Sequence, residues 1–285
     1  MSSLFDFDRQ EERYAVMGCP VVHSKSPLIH AAFARQFGLK ISYTAIQVDA
    51  GGFPQAVGNF QAVGGKGLNI TVPFKREAWL LSDVRTARAE LAGAVNTLSL
   101  KPDGGRHGDN TDGIGLVRDI VQNHAGRIST QRVLLLGAGG AVRGVLGLLL
   151  EEKPAQLVIV NRDVEKAREL AEIFADTGKM EVCSYAQLQG RQFDLIINGT
   201  SASLSGELPP LPEGIVAKDG WCYDMMYAAT PTVFVRWGEG QGAAISLDGL
   251  GMLVEQAAES FFIWHGVRPD TAPVIKEMRS SMHSR

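Results

Sequence analysis

The run Val133-Leu134-Leu135-Leu136-Gly137-Ala138-Gly139-Gly140-Ala141 constrains the fold more than any other part of the chain. Four apolar residues in succession suit a strand buried on both faces. The glycines then turn the chain into residues 141–150, an apolar stretch of helical length. Gly137 permits the tight turn. Gly139 leaves out a Cβ where a phosphate has to approach the backbone. The helix that opens there offers unpaired N–H groups and a partial positive charge. Strand, glycine turn and helix in this order predict the first βαβ unit of a dinucleotide-binding domain, with Gly137, Ala138, Gly139, Gly140 and Ala141 at the pyrophosphate. The spacing departs from the usual one, because Val142 occupies the third glycine or alanine position and Gly144 follows two residues later.

The next strand separates two cofactors. NAD-binding units place an acidic residue about 20 residues on, against the ribose 2′-OH. Here the strand at residues 156–160 runs into Asn161-Arg162. An arginine there can grip a 2′-phosphate and stack on adenine. Lys166, one helical turn on, adds charge. The expected cofactor is therefore NADP(H). Asp163 should cap the following helix, and its carboxylate is an unfavourable neighbour for a phosphate.

Similar alternation fills the rest of the chain. Residues 14–18, 42–48 and 67–71 read as strands, and 27–37, 53–60, 74–81 and 84–91 as helices. Residues 95–100 and 106–110 flank Pro102-Asp103-Gly104-Gly105 as a hairpin. This predicts a mainly parallel sheet with the hairpin as its antiparallel edge. A helix from Ile114 to about His124 ends in the polar, glycine-containing residues 125–131. A second alternation follows, with strands at 133–136, 156–160, 193–198 and 221–224, helices at 141–150 and 164–175, and a buried helix at 252–264. The expectation is an α/β protein of two domains, which 285 residues accommodate. The N-terminal α/β domain has a mainly parallel sheet, the second is Rossmann-type, and their junction lies near Asp112.

Composition removes other classes of function. The net charge of -3 supplies no overall field for nucleic acid or an anionic membrane, so an anionic ligand has to be held by local groups. Cys19, Cys183 and Cys222 have neither metal-ligand spacing nor an even count, which points to a reducing compartment and to buried thiols. The charged first 13 residues lack the apolar core of a secretory signal. Residues 142–150, the most apolar stretch, are too short to span a bilayer. The expected location is the cytoplasm.

Polar groups gather where the first alternation leaves its strands. Ser24 and Ser26, in His23-Ser24-Lys25-Ser26-Pro27, stand ahead of a helix begun by proline. They suit a carboxylate, and equally a capping turn with Ser26 as N-cap. Asn69 and Thr71 share a face of the third strand by its period of two. Lys75 follows just beyond Pro73. Taken alone it is a surface cation, and Asp112 taken alone is a helix N-cap. Side by side they would form a proton-transfer pair. Asn96 and Asn110-Thr111-Asp112-Gly113 add polar groups at other strand ends.

Taken together, these segments resemble the shikimate dehydrogenase family along essentially the whole chain. The motifs include His23-Ser24-Lys25-Ser26-Pro27, the run from Gly67 to Lys75, Ala92-Gly93-Ala94-Val95-Asn96-Thr97 and Gly108-Asp109-Asn110-Thr111-Asp112. They continue with the glycine turn, Asn161-Arg162, Asn198-Gly199-Thr200, Tyr223-Asp224-Met225-Met226-Tyr227 and the run from Asp248 to Gln256. The resemblance implies reversible, NADP(H)-dependent reduction of 3-dehydroshikimate to shikimate in aromatic amino-acid biosynthesis. It implies that Lys75 and Asp112 are catalytic, and that Ser24, Ser26, Asn69, Thr71, Asn96, Tyr227 and Gln256 bind substrate. Asn161, Arg162 and Lys166 join the glycine turn in binding NADP(H), with Thr200, Met225 and Gly249 on the nicotinamide side. Residues 1–112 and 249–285 would form the substrate domain and 113–248 the NADP domain, in a monomer or homodimer. A quinate/shikimate dehydrogenase of broader range is the alternative. An inactive NADP-binding regulator is a more distant one, against which the presence of both Lys75 and Asp112 argues. Three positions depart from the family pattern: Asp163 where threonine or serine is common, Gly199 in place of the usual alanine, and Thr232-Val233-Phe234 without its central proline.

Overall fold

The computed structural model describes residues 11–283. Most of the charged segment read as lacking a secretory signal therefore lies outside the described residues. The chain forms two compact units. One runs to Asn110 and takes in Ala257–Val274; the other holds Thr111–Gln256 and resumes at Ile275.

The first unit alternates β1 (Glu12–Gly18), α1 (Ser26–Phe37), β2 (Ile41–Gln47), α2 (Phe53–Ala62), β3 (Gly65–Ile70) and α3 (Lys75–Leu81). It continues with β4 (Val84–Arg85), α4 (Ala87–Ala92), β5 (Thr97–Leu100) and β6 (Arg106–Asp109). The sheet order is β2-β1-β3-β5-β6-β4. Strands β1, β2 and β3 are parallel, and β5 runs antiparallel to both β3 and β6. The hairpin is thus present but is not the edge. Residues 84–91, expected as one helix, divide into β4, which pairs parallel with β6, and α4, whose N-cap is Thr86. Two residues of strand have no period to read. Met17, Phe53, Leu68, Phe74 and Leu98 pack in the core, with the rings of Phe53 and Phe74 stacked at 5.0 Å.

The second unit opens with α5 (Asp112–Arg118), which runs on as a π-helical turn (Asp119–Asn123). There follow β7 (Arg132–Leu136), α6 (Gly140–Glu151), β8 (Gln156–Val160), α7 (Val164–Ile173), β9 (Glu181–Cys183), β10 (Phe193–Asn198), β11 (Val216–Asp224), α8 (Val233–Gly240) and β12 (Ile245–Leu247). All six strands are parallel, in the order β12-β11-β10-β7-β8-β9. The chain walks outward from β7 to β9, returns beside β7 at β10, and walks outward the other way. The order therefore reverses between β7 and β10, where open α/β sheets bind ligands at the carboxyl ends of their strands. A Cβ on Gly113 of α5 would lie 3.1 Å from the Gly144 carbonyl oxygen and 3.0 Å from Leu148, which accounts for the glycine at 113.

Two helices carry chain through both units: α9 (Leu250–His265), divided after Gln256, and α10 (Ala272–His283), divided after Val274. The segment 249–285, expected whole in the substrate domain, is therefore shared. Asn123 donates to Glu255 at 3.0 Å, and Arg279 holds Asp248 through both carboxylate oxygens, so these stretches belong to the second unit. Trp264 donates to the Leu98 carbonyl at 3.1 Å and packs where a Gly67 side chain would stand, which ties that stretch to the first. Cys183 and Cys222 are buried as expected. Cys19, in the bend after β1, is exposed. Among the described residues no helix is long and apolar enough to cross a membrane.

Candidate active site

In the first unit the expected substrate residues share one end of the sheet. Ser24 stands between β1 and α1, Ser26 is the first residue of α1, and Asn69 is the penultimate residue of β3, with Thr71 just past its end and Lys75 at the start of α3. Asn96 precedes β5, whose antiparallel course brings Thr97 opposite Asn69. The Ile70 N–H donates to the Asn96 carbonyl at 2.8 Å, and the Thr71 N–H to Met17 at 2.9 Å. Strand β3 stops at Ile70, so Thr71 is placed by that bond and by its carbonyl, which accepts from the Phe74 N–H at 3.1 Å, and not by strand period. The hydroxyls of Ser24 and Ser26 lie 3.2 Å apart. The N-cap of α1 is Lys25 and not Ser26; Ser24 Oγ instead accepts the Ser26 N–H at 3.3 Å. Lys75 begins α3 and is half-buried, and its carbonyl accepts from Val95.

Asn69 is held on every side. Its Nδ2 donates to the Asn96 carbonyl (3.2 Å), to Thr97 Oγ1 (3.2 Å) and to Ser260 Oγ (2.9 Å), and its Oδ1 accepts from the Tyr43 hydroxyl at 2.8 Å. A carbonyl can only accept, so the Asn96 oxygen fixes which way the amide faces. Asn69 thus presents at most one remaining lone pair to a substrate. Tyr43 and Ser260 went unnoticed in the sequence, and Thr97 closed a motif without being given a role, because a hydroxyl aimed at one distant amide has no sequence period.

In the second unit the expected cofactor residues sit at the carboxyl ends of parallel strands. Gly137 (φ 105) turns the chain after β7, and α6 opens behind the N-cap Gly139. A Cβ on Gly139 or Gly140 would enter open space, so a ligand can reach the backbone there. Arg162 and Lys166 are exposed beyond β8. Asp163 caps α7 by accepting from Glu165 at 3.2 Å, and its other oxygen lies 3.8 Å from Lys166. That proximity partly offsets the Lys166 charge. A helix N-terminus bare of side chains together with cations one strand away fits a pyrophosphate and a 2′-phosphate.

Beyond β10 and β11 lies a buried polar network that sequence reasoning missed. Thr200 donates to Asn198 Oδ1 through its N–H (3.1 Å) and its hydroxyl (2.7 Å). Asn198 donates to Asp224 at 3.0 Å, and Thr232 donates to the other Asp224 oxygen at 2.6 Å while capping α8. Burial pushes the Asp224 carboxyl up, opposed by bonds from Ser203, Thr232, Met226 and Asn198. Polar residues ending apolar strands were the available signal. Gly249 packs on the Met225 carbonyl. Tyr227 is half-buried, and burial with the nearby Asp248 charge pushes its phenol up. Gln256 donates to Leu253 at 2.9 Å and accepts from Thr111 at 3.4 Å. Thr111 and not Asp112 is the N-cap of α5, with Asp112 buried in its first turn.

Comparison with known proteins places this arrangement. The shikimate dehydrogenase substrate-binding domain model matches residues 16–98, the shikimate / quinate 5-dehydrogenase model residues 119–205, and the shikimate 5'-dehydrogenase C-terminal domain model residues 249–279. A shikimate dehydrogenase (NADP(+)) of Nitrosococcus oceani is 57% identical over 95% of this chain and 96% of its own length. The chain belongs to the shikimate dehydrogenase family. A second family member, from Alkalilimnicola ehrlichii, is 59% identical over 94% of this chain and 98% of its own. Among solved structures of the family, shikimate 5-dehydrogenase from Thermus thermophilus in complex with NADP(H) and shikimate superposes with a TM-score of 0.85. It is 30% identical and covers 95% of this chain and 99% of that one.

Proposed function

We propose that this chain catalyses the reversible, NADP(H)-dependent reduction of 3-dehydroshikimate to shikimate, an oxidoreductase step of aromatic amino-acid biosynthesis. The observation that carries it is the bare glycine turn at the switch point followed by Asn161-Arg162, in a chain of this family.

When bound, the nicotinamide supplies a hydride to the substrate carbonyl carbon or takes one from the alcohol. The remaining work falls to the chain. Lys75 gives a proton to the carbonyl oxygen as the alcohol forms and takes it back in the reverse direction. Asp112 orients the substrate. Ser24 and Ser26 bind the carboxylate, whose charge the net-negative protein can hold only with local donors. Asn69, Thr71, Asn96, Tyr227 and Gln256 complete the shell around the hydroxyls. Gly137 to Ala141, Asn161, Arg162 and Lys166 hold the cofactor phosphates and ribose, and Thr200, Met225 and Gly249 line the nicotinamide side. Three free cysteines suit a cytoplasmic monomer or homodimer, and no overall positive field is present for nucleic acid.

The test is a matrix of shikimate and quinate against NADP⁺ and NAD⁺, followed by absorbance of the reduced nicotinamide. Shikimate with NADP⁺ is expected to give the largest kcat/KM. Equal turnover of quinate would broaden the substrate range, and no turnover in any combination would refute the enzyme reading.

A further inference from the structure

We propose that Val142 and Gly199 form one interlocked pair of positioning residues that sets the seat of the nicotinamide half of the cofactor. This rests on the reading above, in which Thr200 and Met225 line that half.

The two residues are the separate departures seen in the sequence, and one contact joins them. In glycine-turn βαβ units the third small residue lets the helix lie close against the sheet. Here that position holds Val142, in the first turn of α6 and fully buried. Its bulk is accommodated across the switch point, at the end of the neighbouring strand. A Cβ on Gly199 would overlap Val142 Cγ2, and would lie 3.2 Å from the Leu136 carbonyl oxygen and 3.3 Å from Met225 Sδ. Valine in a helix has one strongly preferred rotamer, so Val142 cannot swing aside at low cost. Gly199 is not among the glycines with positive φ, so space and not backbone conformation requires glycine there.

A shift at Gly199 has few places to go. Its N–H donates to Leu136 at 2.9 Å, which extends the β10 ladder onto β7. The next residue, Thr200, is doubly bonded to Asn198 Oδ1, and its Cγ2 stands 3.2 Å from where a Gly137 side chain would begin. The Met225 N–H donates to the Asn198 carbonyl at 2.9 Å. Displacement therefore passes to Thr200, Met225 and the Gly137 turn. Asn161 and Arg162 hang from β8, on the far side of β7, and are left in place.

The experiment measures dissociation constants for NADPH and for adenosine 2′,5′-bisphosphate, which carries the 2′-phosphate but no nicotinamide, with thermal melting alongside. Gly199→Ala is expected to weaken NADPH by about tenfold or more, as overpacking of a buried contact does, and to leave the bisphosphate within about twofold. Val142→Ala should stay within about threefold, and Val142→Ala with Gly199→Ala should return to within about threefold of the parent, a rescue that only coupled residues show. If Gly199→Ala yields no folded protein, recovery of folding and NADPH binding in the double variant supports the pair. A double variant no better than Gly199→Ala overturns it. So does Gly199→Ala that binds NADPH like the parent, or that loses both ligands equally. A parent protein that binds neither probe overturns the cofactor reading, and the pair's role with it.

Discussion

At the scale of single residues, charge and position do different work. Arg162 and Lys166 are both exposed, but Asp163 faces only the second at 3.8 Å. Arg162→Ala should therefore raise the KM for NADP⁺ by about tenfold or more, the lower end of what a charge-assisted bond contributes, and leave the KM for NAD⁺ nearly unchanged. Equal changes in initial-rate assays would place the 2′-phosphate elsewhere. Lys75→Ala should lower kcat by about 10²-fold or more, the usual contribution of a general acid, with little change in KM for shikimate. A loss confined to KM would make Lys75 a binding residue. These cations stood out in the sequence because a candidate role follows from residue type and offset from a strand end. The capping assignments of Ser26 and Asp112 were each one residue late, since N-cap geometry depends on where the chain leaves the strand.

Strands were legible in proportion to the length of their apolar runs, and the polar helix α10 was not read at all. Unbroken runs of three or four apolar residues mark β7, β8 and β10, whereas β4, β9 and β12 are too short to show a period, and the glycines of α8 obscure its pattern. The π-helical turn after α5 was read as ordinary helix. Its first residue, Asp119, is buried, accepts from Tyr223 at 2.6 Å and from Asn123 at 2.9 Å, and occupies the space a side chain at Gly251 would need. Burial, then the Asp119 charge, pushes the Tyr223 phenol well up, so it stays a donor. Tyr223→Phe leaves a buried carboxylate short of one hydrogen bond and should cost about 1–3 kcal/mol, measured by urea unfolding. An unchanged midpoint would mean Asp119 recruits another donor.

For the molecule as a whole, acid stability has a direction. Burial, then the neighbouring His265, pushes His30 down to about 3, and burial lowers His265 in turn against the opposing Glu12 charge. Both belong to the first unit, where His30 stacks on Tyr43 at 4.2 Å. Folded, His30 stays neutral to about 3; unfolded, it binds a proton below 6.5. The unfolded chain therefore holds more protons in that window, and stability falls as pH drops from 6.5 toward 3, by up to about 1.4 kcal/mol per pH unit for His30. Denaturant titrations of the first unit's fluorescence at several pH values should show that slope, and His30→Phe should flatten it. A slope unchanged in that variant would assign the acid sensitivity to other groups.

Local chemistry was sufficient for the α/β class, the glycine turn and the NADP(H) preference, because apolar runs, missing Cβ atoms and cations at strand ends act over a few residues. Tertiary structure alone decided the rest. It divided α9 and α10 between two units, held Asn69 through residues from three different segments, and set Val142 against Gly199. Each of these depends on strand order and helix placement, which bring together side chains that no sequence spacing relates.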